Sequence, residues 1–201
     1  LFFEGEDYAT LATGIAGGVT RAWVPDTSPT GASGLGGLRA SPDSGASVTL
    51  ANAPAQAPRL DYPVTITTAG NHYVWVRLYG PNDNSDAVHV GVNAALPGTA
   101  TATLDAASNS GWLWVRAGPF NVAAGARVVS VWMAEDGVKV DAVVVTQSTS
   151  AVAPVEIRPA GGTWPYAANP TTSQPGLCND NAFDTNAGLA GDRLQQDDVQ
   201  R

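Results

Sequence analysis

What this sequence lacks narrows it quickly. It holds a single cysteine, Cys178, so neither an internal disulfide framework nor a zinc site built on cysteines can form. It holds a single lysine, Lys139, against nine arginines, and its net charge is -8. Phosphate recognition needs clustered basic side chains, whereas Arg21, Arg39, Arg59, Arg77, Arg116 and Arg127 stand singly. The balance argues against nucleic acid as a partner. No apolar run reaches the 18 residues of a membrane-spanning helix, so no membrane insertion is expected. No charged-then-apolar leader precedes the first strand, and the chain reads as a piece of a longer, processed protein.

Hydrolytic machinery is equally sparse. The two histidines, His72 and His89, lie in neither a Gly-x-Ser-x-Gly nor a His-Glu-x-x-His setting. His72 reads as a solvated residue at a strand start, and His89 sits mid-strand on the face opposite Val88 and Val90. No carboxylate stands in the apolar surroundings that mark a raised pKa. No catalytic residue is therefore assigned, and the chain reads as a non-enzyme.

What is present is a succession of strands. Helical periodicity is nearly absent, and short alternating segments are punctuated by Gly, Pro, Asn and Asp, as in an all-β sandwich or barrel. The segment "NHYVWVRLYG" (71–80) puts Val74, Val76 and Leu78 on one face and Tyr73, Trp75, Arg77 and Tyr79 on the other. Residues 86–93, 111–122, 126–137 and 138–148 continue the series, with 46–51 and 59–67 before them. Residues 25–45, rich in Gly, Ser and Pro, are expected to be loop, and Asp136-Gly137 a hairpin turn. Composition changes after this. Residues 1–149 are read as one sandwich and 150–201 as a C-terminal extension, linker or wrap-around segment.

Two constellations carry chemistry. In "LFFEGEDYAT", Glu4 and Glu6 are two apart in a strand, so both carboxylates face one side, roughly 7 Å apart. If the first and last strands pair, Asp141 joins them. Three carboxylates with loop carbonyls suit calcium, which takes oxygen ligands at about 2.3–2.6 Å; the plainer alternative is a half-exposed acidic edge. The second constellation is aromatic and polar. "LYGPNDNSD" (78–86) follows Tyr79 with Asn82, Asp83, Asn84, Ser85 and Asp86, while "SNSGWLW" (108–114) carries Trp112 and Trp114. Glu135 lies within reach of the same loops. A sugar ring needs an apolar platform beside planar amide and carboxylate partners, and these loops hold both, although a tryptophan filling the core is the commoner role.

The order of these segments resembles a known family. "FFEGEDY", then "YVWVRLYGPNDNSD", then "GWLWVRAGPFNVAAGARVVSVWMAEDGVKVDAVVVTQ" is similar to the carbohydrate-binding modules of families six and thirty-five, over residues 2–148. The resemblance implies a β-jelly-roll sandwich of two antiparallel sheets. It implies a structural calcium on Glu4, Glu6 and Asp141 with a backbone oxygen near Arg21. It also implies a glycan site in the loops of Tyr79, Asp83, Asp86 and Trp112. The expected role is non-catalytic polysaccharide or oligosaccharide binding in a secreted or cell-surface bacterial protein. The alternative is an adhesion or architectural domain that binds a neighbouring domain or protein. This chain departs from the pattern at Gly5, where alanine is usual, at Arg127, where histidine is common, and in the long 25–45 segment.

Overall fold

The computed structural model describes residues 1–28, 30–93, 100–108, 111–150 and 153–154. The expected extension, with Cys178, lies almost wholly outside them.

Alternation sets the architecture. In β7 (Gly70–Tyr79) Val74, Val76 and Leu78 are fully buried, while Tyr73, Trp75, Arg77 and Tyr79 line the opposite face. This strand sits between β10 (Leu113–Val122) and β12 (Lys139–Thr146). The sheet continues through β5 (Gly37–Ser41) and β4 (Val19–Asp26) to β3 (Gly14–Ala16), with β1 (Phe2–Glu4) paired to β12. A second sheet runs β2 (Thr10–Ala12), β6 (Arg59–Ile66), β11 (Gly125–Met133), β8 (Ala87–Asn93) and β9 (Ala102–Asp105). Every described pairing is antiparallel, and the fold is a β-jelly-roll sandwich.

Valine dominates the interior because β-branched side chains fit a pleated surface. Val88, Val90, Val129 and Val131 of one sheet face Val74, Val76, Val140 and Val143 of the other, joined by Trp23, Tyr62 and Trp132. Burying each such side chain is worth about 1.5–3 kcal/mol before the chain's entropy is counted.

The first and last strands do pair, with Phe2 opposite Val144 and Glu4 opposite Ala142. Three expectations need correction. Residues 46–51 form no strand; Ser47 makes one bridge to Glu135, and the short helix α1 (Ala53–Gln56) follows. The 25–45 segment is not all loop, since it contains β5, where Leu38 and Ala40 face inward. Asp136-Gly137 is not a hairpin turn, because β11 and β12 belong to different sheets and the turn carries the chain between layers.

Those layer crossings gather loops at one end. Lys139 opens β12 opposite Tyr79, which closes β7, and Leu113 opens β10 opposite Leu78. Asp26 closes β4 beside Gly37, which opens β5, and Met133 pairs with Val88 in the other sheet. Residues 80–86, 106–108, 111–112 and 134–138 therefore share one end of the sandwich, and Gly31 and Gly37 flank the Trp112 ring beside it.

Candidate functional site: an aromatic corner beside an acidic set

Glu4, Glu6 and Asp141 converge on one short stretch of the 27–36 loop. Asp141 is fully buried on β12; its Oδ1 accepts the Ser33 backbone N–H at 2.6 Å and its Oδ2 the Ser33 hydroxyl at 3.1 Å. The same hydroxyl lies 2.5 Å from Glu4 Oε2, and the Leu35 N–H donates to Glu6 Oε1 at 2.7 Å. The backbone at Gly34 favours glycine. Its φ is +55°, and an added Cβ would sit 2.4 Å from Glu6 Oε1.

The set carries strain of an electrostatic kind. Burial raises the Glu6 pKa, with Asp7 and Asp141 adding repulsion, and Glu6 Oε2 is buried without a hydrogen-bond partner. The Arg77 guanidinium offsets part of this by an ion pair with Asp141. Among the described residues no three His, Cys, Asp or Glu side chains stand grouped as a metal centre. Arg21 is not brought to the set. It is buried on β4, five residues before Asp26, and pairs with Asp136 at 2.7 Å.

The aromatic residues meet next door. Tyr79 and Trp112 are both half-buried, with ring centroids 5.6 Å apart and planes inclined by 53°. Arg77 lies over the Trp112 ring at 5.7 Å and Lys139 over the Tyr79 ring at 5.5 Å, distances suited to cation–π attraction. Gly37 admits the indole, because a Cβ there would stand 2.8 Å from Trp112 Cη2. Trp114 is half-buried on β10 opposite Arg77, one position along the same face.

The loop acids form a third group. Asp83 and Asn84 are exposed, and Asp83 accepts a hydrogen bond from Ser108. Asp86 is buried beside Glu135, whose carboxylate accepts the Asp86 backbone N–H at 3.1 Å. Desolvation, then the charges of Asp105, Glu135 and Asp83 together with a hydrogen bond to Glu135, push the Asp86 pKa up to about 6. The expectation that no carboxyl has a raised pKa is thus corrected. The polar surroundings of Asp86 in sequence hid a site that three loops bury.

His72 is also buried rather than solvated, with Nδ1 3.0 Å from the Gly70 carbonyl. His89 is buried between the Val48 carbonyl, 2.8 Å from Nε2, and Thr103 Oγ1, 2.9 Å from Nδ1. Its role is structural.

An open cleft of about 550 Å³ adjoins the corner, lined by Pro25–Ser28, Arg39, Asp43, Pro81, Gly137 and Lys139. None of these was assigned to a binding site from sequence. Lys139 and Arg39 both pair with Asp26 at 3.1 Å, although nothing in a lone lysine and a loop aspartate indicates that they meet.

No protein-family model and no curated protein matches the chain. Solved structures do. A GH26-CBM35 β-(1,4)-mannanase of Podospora anserina aligns with a TM-score of 0.53 at 18% identity, over 79% of this chain and 30% of that one. The fold of this chain is that of the carbohydrate-binding modules. A ruminal GH26 endo-β-1,4-mannanase aligns over 75% of this chain and 26% of that one, at 16% identity and a TM-score of 0.50. A family 35 carbohydrate-binding module from an environmental isolate aligns over 73% of this chain and 92% of its own length, at 17% identity and a TM-score of 0.48. This module fold spans under a third of each mannanase chain. At such identities the likeness is one of fold, and no helix among the described residues is long and apolar enough to cross a membrane.

Proposed function

We propose that the chain binds neutral polysaccharide or oligosaccharide without chemical turnover, at the Tyr79–Trp112 corner and the cleft beside it. The observation that carries this reading is the corner itself: two half-exposed rings 5.6 Å apart at a loop end, flanked by charged donors and acceptors. An aromatic face takes the C–H side of a sugar, and side chains such as Arg39, Lys139, Asp43 and Asp83 take hydroxyls. Lys139 belongs to both places, touching the Tyr79 ring and lining the cleft. In the same reading the chain is an accessory part of a secreted or cell-surface bacterial protein.

A structural calcium belongs to the proposal on narrower ground. The donors of Glu4, Glu6 and Asp141 are hard oxygens of the kind calcium prefers, and the lone Glu6 Oε2 lacks a partner. A cation there would offset the burial, and the lesser repulsion, that raise the Glu6 pKa, while sharing Asp141 with Ser33 and Arg77.

The first test is isothermal titration against manno-, gluco- and xylo-oligosaccharides, led by β-1,4-mannan fragments because the two mannanases above share the fold. Modest affinity is expected, in the micromolar to millimolar range, or about -4 to -8 kcal/mol. Trp112→Ala abolishes that binding while the protein stays folded. An intact protein that binds no glycan of the panel overturns the reading in favour of an architectural domain.

A further inference from the structure

The acidic set and the aromatic corner share one residue. Arg77 projects from β7 on the outer face and donates to Asp141 Oδ2, while its guanidinium carbon lies 5.7 Å from the centroid of Trp112. Asp141 is fully buried and Arg77 mostly so, with 18% of its side chain exposed, and a pair so placed is poorly screened by solvent. A second connection runs parallel to it. The loop whose Ser33 binds Asp141 and Glu4 has Gly31 against the pyrrole end of the same indole, and Gly37, which follows the loop, against its benzo end. The Trp112 Nε1–H is buried there without a hydrogen-bond partner, so local hydrogen bonding does not fix the ring's angle. What remains to fix it is packing against the two glycines, the tilted contact with Tyr79 and the cation above it.

We propose that Arg77 is a positioning residue that couples the acidic set to the aromatic corner: Asp141 fixes the guanidinium, and the guanidinium fixes the plane of Trp112. The inference rests on the glycan-binding reading for its purpose, though not for its physics. A sugar platform must be presented at one angle, and a planar cation held by a buried carboxylate supplies that constraint. Arginine suits the task and lysine does not, because an ammonium keeps the charge and lacks the plane that stacks on the indole. Any change of charge at Glu4, Glu6 or Asp141 is then transmitted to Trp112, although none of the three touches it in the contacts described.

The test reads the tryptophan indole N–H resonances of the ligand-free, isotope-labelled full chain, with Trp112 assigned from its loss in Trp112→Phe. Arg77→Lys retains a partner for Asp141 and so preserves the fold. It is expected to move the Trp112 resonance while those of Trp23 and Trp132, buried in the core, stay in place. Glu6→Gln, which changes charge at the acidic set without touching Arg77, is expected to move the same resonance in wild type and to move it less in the Arg77→Lys background, where only the loop connection remains. A Trp112 resonance indifferent to Arg77→Lys overturns the proposal, as does a Glu6→Gln response of equal size in both backgrounds. Glycan titration then separates the two readings. If the protein binds sugar, Arg77→Lys weakens binding by about two- to thirtyfold, the range a cation–π contact supports. If it binds none, the resonance test decides the coupling unaided.

Discussion

At the scale of single residues, burial does more than identity to define this site. Asp86 lies in a stretch of Asn, Asp and Ser that reads as solvated, yet its pKa is raised to about 6 from the ordinary 3.8. The sign of the consequence is fixed. Between these values the folded protein binds the proton and the unfolded chain does not, so stability is lost as pH rises through about 6. Asp86→Asn keeps a group able to donate to Glu135 and removes the charge. Its melting temperature should exceed that of wild type at pH 7.5, with the difference shrinking towards pH 4. His89 runs the other way, because burial lowers its pKa from 6.5 and both ring nitrogens already have partners. Its stabilising contribution is present above pH 6.5 and lost as pH falls through the folded value. An NMR titration should place its midpoint below 6.5; a midpoint above it would contradict the burial account.

At the scale of elements, the turn between β11 and β12 is the joint of the two sheets. Asp136 is fully buried, and its two oxygens accept the N–H groups of Ser44, Gly45 and Ala46 at 2.9–3.1 Å and pair with Arg21. One carboxylate thus pins the 42–46 loop, the end of β4 distant from Asp26 and the layer crossing together. Asp136→Ala leaves Arg21 buried without its charge partner and should cost about 3–5 kcal/mol in urea unfolding. Asp136→Asn keeps an acceptor and should cost less. Equal losses for both would show that the charge pair with Arg21, absent from each variant, dominates the joint over the backbone donors.

At the scale of the molecule, the question is whether a cation completes the fold. The net charge of -8 favours any bound cation in a general way, and Glu4, Glu6 and Asp141 are the carboxylates on which the proposed calcium would rest. A ligand that binds only the folded state at 100 times its Kd adds about 2.7 kcal/mol. For a domain of this size that raises Tm by roughly 5–10 °C. Calcium chloride should produce such a shift, EDTA should reverse it, and a double variant Glu4→Gln/Glu6→Gln should be indifferent to both. A melting curve unmoved by calcium in wild type removes the metal from the proposal and leaves the glycan corner standing.

Read from the chain alone, the sandwich and most of its strands were legible because alternation is a local property. The Val74–Val76–Leu78 stripe follows from period, whereas the pairing of Glu4 with the strand of Asp141 stood only as a condition that the fold meets. β5 was not legible, since five residues inside a glycine-rich stretch carry too little alternation to be heard. The convergence of Glu4, Glu6 and Asp141 was legible as a possibility, but its partners Ser33, Gly34 and Arg77 were not. Neither was the Lys139–Asp26–Arg39 cluster, nor the burial of Asp86. Composition and periodicity decide which residues face inward and which are available to a site. Only the tertiary structure decides which distant loops meet, because contacts separated by dozens of residues depend on how two twisted sheets stack, and no local pattern records that.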